Sequence, residues 1–184
     1  SDQPHTLQVF DMGAGTGAVA MAMGLIREGV KAVLGRDLQL SMVNLDSSPF
    51  MLDYLEQDMW PAFVEAYPRC EEVEMVYELN SWYSADFGRQ GSPWVVCSYL
   101  FDYDEGFDAL KDGFQSMMDL LSPSMFIFQT ISRKKAVVGS AMQWMEKAGF
   151  AERRVDLIPP FSGVMETTVE VRKQIGHQCG VRWL

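Results

Sequence analysis

A short glycine-rich loop lies close to the start of the chain, directly after an apolar run that ends in an acid. Residues 9–18 read VFDMGAGTGA, and the acid is Asp11. Because a glycine has no Cβ, a ligand can come very close to the backbone of such a loop. The loop residues that we expect to line a cofactor site are Gly13, Ala14, Gly15 and Gly17.

Asp11 indicates which class of cofactor the loop favours. The glycines satisfy both G-x-G-x-x-A, which is typical of dinucleotide sites, and the tighter G-x-G-x-G. A dinucleotide brings a pyrophosphate to the loop and to the helix behind it, where a carboxylate would repel it. A sulfonium nucleoside is cationic and carries no phosphate, so the acid favours it. Two alternatives stay open: Asp11 only caps the loop by accepting backbone N–H bonds, or the chain is a nicotinamide-dependent oxidoreductase.

The elements that must position this loop follow from short apolar runs that alternate with stretches of helical period. This alternation is typical of an α/β sheet with helices on both faces. Strands are predicted at 7–11, 41–46, 73–79, 93–101, 125–131, 152–158 and 167–174. Helices are predicted at 16–28, from Ser48 and Pro49 onward, at 107–121 and at 135–148. The sheet is then seven-stranded and mostly parallel, with the last strand inserted antiparallel.

Glycine and proline predict where the first two helices end. Gly29 should end the first helix, and Pro61 should kink or end the second. The first helix has no polar side chain between Ala18 and Arg27, so we expect it to be buried against the sheet. The stretch at 29–39, GVKAVLGRDLQ, is expected to be an insertion between this helix and the second strand.

Composition limits the classes of function. The 184 residues are 48% hydrophobic, which is enough for a single domain with a real core. The formal net charge of −10 disfavours direct nucleic-acid binding by this domain alone, because phosphate binding draws on an excess of Lys and Arg. Three separated cysteines and two histidines form no zinc-ligand pattern, so we expect no metal site and a reducing compartment.

The ends and hydropathy of the chain give further expectations. There is no leader pattern and no apolar run of bilayer length, so we expect a soluble, cytoplasmic protein without membrane contact. The first strand begins within about ten residues of Ser1. An N-terminal lid is therefore expected to be missing from this chain, and a partner domain or partner chain to cover the site.

With the loop and the element order in place, the chain resembles the class I S-adenosylmethionine-dependent methyltransferases, a Rossmann-like family with a three-layer α/β sandwich. Its first motif, an acid followed by G-x-G-x-G, matches Asp11 to Gly17. Its second motif, an acid that ends strand two, matches Asp46 in VNLDSS, followed by Ser47. The resemblance implies that Asp46 holds the ribose hydroxyls of the cofactor. The alternative is that Asp46 only caps the helix that begins near Ser48.

The resemblance also assigns residues to the remaining parts of S-adenosylmethionine. After the third strand, it implies adenine contacts from Asn80 and Ser81, with Trp82 as a stacking surface. Asn80 stands where the family often has an aspartate. At the end of the fourth strand, Ser98 and Tyr99 are expected beside the methionine part of the cofactor.

The methyl acceptor is not specified by any motif that we find. The fourth strand has neither the D/N-P-P-Y/F signature of base N-methylation nor a Pro-Cys nucleophile, and Cys97 is expected to be an inert core residue. The weak candidates for a catalytic role are Tyr99, Asp102 and Asp104. Asp104 has the alternative role of favouring a helix N-terminus through its charge.

Two functions of different class follow. The first is methyl transfer from S-adenosylmethionine to a small molecule, a protein or an RNA group. The second is a methyltransferase-fold domain that binds the cofactor, or has lost activity, and acts as an interaction module in a larger assembly. The intact loop and Asp46 favour cofactor binding in either case.

Overall fold

A mostly parallel sheet forms the centre of the protein. The computed structural model describes residues 6–79, 93–98, 116, 119–121, 123–131, 151–153 and 177–183. Within these residues the sheet has seven strands in the order β3-β2-β1-β4-β5-β7-β6. Their bounds are β1 Thr6–Met12, β2 Gln39–Asp46, β3 Glu74–Leu79, β4 Trp94–Ser98, β5 Met125–Ile131, β6 Ala151–Arg153 and β7 His177–Trp183. Strands β1 to β5 pair in parallel, whereas β7 is antiparallel to both β5 and β6.

The helices whose bounds the structure describes lie between β1 and β3, and residues 116 and 119–121, before β5, are also helical. The helices between β1 and β3 are α1 Ala18–Leu34, α2 Pro49–Tyr54, a π-helical segment Leu55–Met59, α3 Trp60–Ala66 and a 3₁₀ helix Pro68–Glu72. The start of α2 is the predicted one: the Met51 N–H donates to the Ser48 hydroxyl at 3.4 Å, and Pro49 is the first helical residue. A serine cap followed by proline satisfies or removes amides that have no partner inside a helix.

The predicted α/β class, with a mostly parallel sheet and flanking helices, is confirmed. The first five predicted strands coincide with β1 to β5 to within two residues at each end that the structure describes. Other predicted segments lie wholly or largely outside the described residues: 99–101 of the fourth strand, most of the helix at 107–121, the helix at 135–148, 154–158 of the sixth strand and the strand at 167–174. Strand β7, at His177–Trp183, was not predicted.

The predicted end of α1 is wrong. The helix continues through Gly29 to Leu34 and ends at Gly35, which takes the left-handed conformation at φ 62° and donates its N–H to the Lys31 carbonyl. A glycine inside a helix costs only about 1 kcal/mol relative to alanine, which a helix of this length tolerates. The segment 29–39, predicted as an insertion, is therefore helical as far as Leu34.

The predicted burial of α1 is only partly correct. Ala20, Met23 and Gly24 are buried, but Leu25 and Ile26 are 43% and 50% exposed. The helix is thus apolar on two faces, and a second apolar face cannot be distinguished from the core face by composition alone.

Arg27, expected to begin the polar face of α1, is instead buried. Its guanidinium donates to the carbonyls of Leu38 at 2.9 Å and Arg69 at 3.0 Å, and it pairs with the Glu72 carboxylate. A planar group with five N–H donors suits such a position, because it bonds several acceptors in fixed directions. Arg27 therefore ties α1 to the segment before β2 and to the 3₁₀ helix.

Pro61 neither ends the second helix nor leaves it regular. The chain passes through the π-helical segment and continues as α3, with Pro61 in its first turn. Proline has no N–H to donate, so a wider turn directly before it accommodates the missing bond.

The described core lies on the face of the sheet that carries Val9 of β1 and Met42 of β2. Further members of this cluster come from α1, the π-helical segment, α3 and β4: Ala20, Met23, Leu55, Trp60 and Val96. Among the described residues, no helix has the length and apolar character needed to cross a membrane. The cluster holds α1 and the second helix against β1 and β2, whose carboxyl ends carry the glycine loop.

Replacement of Arg27 tests the buried guanidinium. Arg27→Met should lower the free energy of unfolding by about 3 kcal/mol, because two carbonyls and the Glu72 carboxylate lose their donor. The matched control is Lys31→Met, which removes a solvent-exposed pair with Asp37 and should cost much less. Urea denaturation measures both, and equal losses would contradict the account.

Candidate functional site

The glycine loop is bonded to the end of the neighbouring strand. The N–H groups of Gly13 and Ala14 both donate to the Leu45 carbonyl at 2.9 Å. Since β1 and β2 are parallel neighbours, their carboxyl ends meet at one edge of the sheet, where ligands bind in open α/β sheets. The loop therefore stands at the edge where a cofactor site is expected, joined to β2 by its own backbone.

Asp46 continues this connection with its side chain. Its carboxylate accepts from the Gly15 N–H at 2.9 Å through Oδ2 and from the Ser48 N–H at 2.9 Å through Oδ1. The predicted helix-cap role of Asp46 is therefore present, together with a bond to the loop that was not predicted. Each carboxylate oxygen has two lone pairs, so further donors such as hydroxyl groups can still be accepted.

These bonds determine which loop N–H groups are free to bind a phosphate. A phosphate-binding glycine loop offers free backbone N–H groups to the anion. Here the N–H groups of Gly13, Ala14 and Gly15 already donate to β2 and Asp46, and that of Gly17 donates to the Ala14 carbonyl at 2.9 Å. In this conformation these four N–H groups are not free to bind a phosphate.

Three glycines of the loop, Gly13, Gly15 and Gly17, have positive φ, and the surroundings of Gly15 and Gly17 differ. Gly15 has φ +53°, and among the described atoms only the Gly13 carbonyl oxygen, at 4.0 Å, comes near an added Cβ. Gly17 has φ +82°, and an added Cβ would overlap the side chain of Leu55. Gly15 thus leaves room above the loop for a ligand, whereas Gly17 lets the loop pack on the core.

The carboxylate of Asp11 is buried near the end of β1, just before the loop. The residue is 1% exposed, and neither of its oxygens has a hydrogen-bond partner within the described structure. The alternative in which Asp11 only caps the loop through backbone N–H bonds is therefore wrong. Its register partner on β2 is Asn44, whose Oδ1 is also buried without a donor.

Burial controls the protonation of Asp11. Desolvation, followed by the charge of Asp46, raises its pKa from 3.8 to about 7. Two carboxyl groups, one buried and one at the end of β2, thus stand at the loop. A cationic ligand would lower the free energy of the ionised form of Asp11, and an anionic ligand would raise it.

Cys97 behaves as predicted for an inert core residue. It is fully buried on β4, and burial, together with the nearby Asp11, raises the pKa of its thiol well above the ordinary value. A thiol that stays protonated is a poor nucleophile.

The structure describes only some of the predicted site residues. Asp11, Asp46 and the loop residues 13–17 come together, and Ser47 follows Asp46 at an exposed position. Ser98 ends β4, two strands from β2. The other predicted positions lie outside the described residues: Asn80, Ser81, Trp82, Tyr99, Asp102 and Asp104.

One residue at the site was missed by the sequence analysis. Leu55 contacts the loop at Gly17 although it belongs to the helical region after β2. An apolar residue in an amphipathic helix has no sequence signal that separates it from other core residues. Only the three-dimensional arrangement identifies it.

Comparison with solved structures identifies the fold. The N-methyltransferase NodS from Bradyrhizobium japonicum WM9 matches with a TM-score of 0.58 and 9% identity, over 98% of this chain and 86% of that chain. A loganic acid methyltransferase solved with S-adenosylhomocysteine matches with a TM-score of 0.52 and 14% identity, over 93% of this chain and 72% of that chain. The protein has the fold of the class I S-adenosylmethionine-dependent methyltransferases, as the resemblance implied.

The same fold occurs in an enzyme of another kind. The 4+2 cyclase SpnF matches with a TM-score of 0.58 and 9% identity, over 100% of this chain and 77% of that chain. No protein-family model matches the sequence, and no curated protein matches it. The fold alone therefore does not determine the reaction.

The buried carboxyl gives a pH-dependent prediction. The folded protein holds the Asp11 proton more tightly than the unfolded chain, because folding raises its pKa from 3.8 to about 7. Ionisation of Asp11 therefore does not destabilise the folded protein below pH 3.8. The destabilisation grows between pH 3.8 and about pH 7 and is constant at higher pH. The stability gained by the ligand-free protein from Asp11→Asn should be larger above pH 7 than near pH 4, by up to about 4 kcal/mol.

Chemical denaturation between pH 4 and pH 8 measures this difference, with Asp53→Asn as the control. Asp53 is an exposed aspartate on α2, so its replacement controls for effects of an Asp-to-Asn change that do not depend on burial. A flat difference for Asp11→Asn would show that this carboxyl ionises in the folded state as easily as in the unfolded state.

Proposed function

We propose that this protein binds S-adenosylmethionine at the glycine loop and transfers its methyl group to an acceptor. The observation that carries the proposal is the bond from the Gly15 N–H to the Asp46 carboxylate at 2.9 Å. It brings the two motifs of the resemblance into one site, although they are far apart in sequence. Fold similarity to methyltransferases, one of them solved with S-adenosylhomocysteine, supports the same conclusion.

The described residues fit this cofactor chemically. S-adenosylmethionine is a nucleoside that carries a sulfonium and an ammonium group and has no phosphate. The loop amides are already bonded, there is space above Gly15, and Asp11 and Asp46 supply negative charge. A dinucleotide would bring two negative phosphates to a loop whose amides are occupied, which argues against a nicotinamide-dependent oxidoreductase.

The proposed roles of the individual residues are those that the resemblance implies. Asp46 would accept the ribose hydroxyls, with Ser47 beside it, since charge-assisted bonds to vicinal hydroxyls suit a carboxylate. Asn80, Ser81 and Trp82 are proposed to hold the adenine. Ser98 and Tyr99, at and after the end of β4, are proposed for the methionine part.

The chain's own contribution to the reaction is orientation. When bound, the cofactor supplies an electrophilic methyl group, and holding donor and acceptor in line provides much of the acceleration. Tyr99, Asp102 and Asp104 remain the candidates for taking a proton from the acceptor. The proposed acceptor class is open among small molecules, proteins and RNA groups.

A second candidate function is a cofactor-binding domain that transfers no methyl group and acts in a larger assembly. The specific observation in its favour is the similarity to SpnF, described as a cyclase. We further propose a single domain that works in the cytoplasm, because Cys70 and Cys97 are unpaired, as in reducing compartments.

Calorimetry with a site-blocking variant tests cofactor binding. The wild-type protein should bind S-adenosylmethionine and S-adenosylhomocysteine with micromolar affinity. Gly15→Asn should weaken binding at least tenfold, because asparagine tolerates a positive φ but places a side chain in the open space above the loop. Gly35→Asn is the matched control, since Gly35 has a similar φ of +62° at the far end of α1 and should bind like the wild type. Binding of NADH in place of both nucleosides would overturn the proposal.

A ligand comparison tests the role of Asp46 separately from its bond to the loop. The wild type should bind S-adenosylhomocysteine about tenfold to hundredfold more tightly than an analogue without the 2′ and 3′ hydroxyls, which is the value of one charge-assisted hydrogen bond. Asp46→Asn should lose most of this discrimination. Ser48→Ala removes the cap of the same helix but keeps the carboxylate, and should retain it. Unchanged discrimination in Asp46→Asn would refute the ribose assignment.

A further inference from the structure

Leu55 packs against the glycine loop at Gly17. Its side chain is fully buried, and it occupies the space where a Cβ on Gly17 would lie, with its Cγ and Cδ2 atoms at 3.2 Å from that position. The contact joins the loop to a helical segment that begins after Asp46. The loop is thus held from one side by the end of β2 and from another by Leu55.

The π-helical segment explains how Leu55 and Trp60 are both directed into the core. The Trp60 N–H donates to the Leu55 carbonyl, which is the i to i+5 bond of a π turn. Residues five apart lie about 140° apart around a regular α-helix, so only one of the two would face the core there. In the wider turn both are buried. The irregularity therefore has a consequence at the loop: it keeps Leu55 under Gly17 while α3 stays packed through Trp60.

A glycine loop needs such support. Glycine has the most backbone freedom to lose, and a loop with several positive φ values keeps one conformation only when its surroundings restrict it. Any freedom left in the empty protein must be lost on ligand binding, which weakens affinity.

We propose that Leu55 is a positioning residue for the cofactor: it holds Gly17 so that the Gly15 N–H remains on Asp46 and the space above Gly15 stays open. This inference rests on the proposed function for its ligand, but the contact itself does not. Leu55 contacts the loop at Gly17 and does not come within 4 Å of a Cβ added at Gly15, so its effect on a ligand is transmitted through the loop.

Leu55→Ala tests the proposal, with Leu40→Ala as the matched control. Both leucines are buried in the same core cluster, but Leu40 lies near the amino end of β2, about 20 Å from Asp46 along the strand. Both variants should lower the Tm. Leu55→Ala should weaken binding of S-adenosylhomocysteine about tenfold, measured by calorimetry well below the Tm, whereas Leu40→Ala should bind within twofold of the wild type.

A conservative variant and a second readout complete the experiment. Leu55→Met refills the volume and should restore affinity to within about twofold of the wild type. Amide hydrogen exchange at Gly15 and Gly17 should be about tenfold faster in Leu55→Ala than in Leu40→Ala. If Leu55→Ala does not fold, Leu55→Val, which shortens the side chain by one methylene, takes its place.

The outcomes separate this inference from the proposed function. If the wild type binds no S-adenosylhomocysteine, the proposed function fails, and hydrogen exchange alone decides whether Leu55 holds the loop. If the wild type binds but Leu55→Ala and Leu40→Ala change affinity and exchange equally, Leu55 is an ordinary core residue and the inference is overturned.

Discussion

The carboxylate of Asp46 joins the parts of the site to one another. One oxygen accepts the amide of Gly15 and the other accepts the amide of Ser48, each at 2.9 Å. The first bond fixes the glycine loop at the end of β1, and the second fixes the start of α2 at the end of β2. The sheet edge, the loop and the helix that carries Leu55 therefore share one anchor. Without it, the bonds from the Gly13 and Ala14 amides to the Leu45 carbonyl would still join the loop to β2, but the loop and the start of α2 would lose their shared acceptor.

Charge and backbone bonding at this edge favour the same kind of ligand. The N–H groups of Gly13, Ala14, Gly15 and Gly17 donate to acceptors within the protein. Asp11 is buried next to the loop in sequence, and burial is the main cause that raises its pKa to about 7. An unpartnered buried carboxyl is unfavourable in the empty protein. A cationic nucleoside above the loop would lower that cost, so the site is destabilised in the way that functional sites often are. Asp11 would therefore affect ligand binding through its charge and not through direct contact with the ligand.

The sequence predicted the parallel sheet and the loop because both depend on local patterns. Apolar runs determine β1 to β5, and the Asp-x-Gly-x-Gly-x-Gly spacing leaves few other conformations. Arg27 was misread because its role is set by partners that are distant in sequence. Arg27 is buried only because the carbonyls of Leu38 and Arg69 converge on it. Leu55 could not be distinguished from other core residues because its contact with Gly17 spans two elements.

A crystal structure with S-adenosylhomocysteine tests the central claim most directly. The account predicts the ribose hydroxyls within hydrogen-bond distance of the Asp46 carboxylate, with the Gly15 amide still bonded to it and the nucleoside above the loop. A nucleoside bound elsewhere, or a loop whose amides turn from β2 to hold a phosphate, would contradict it.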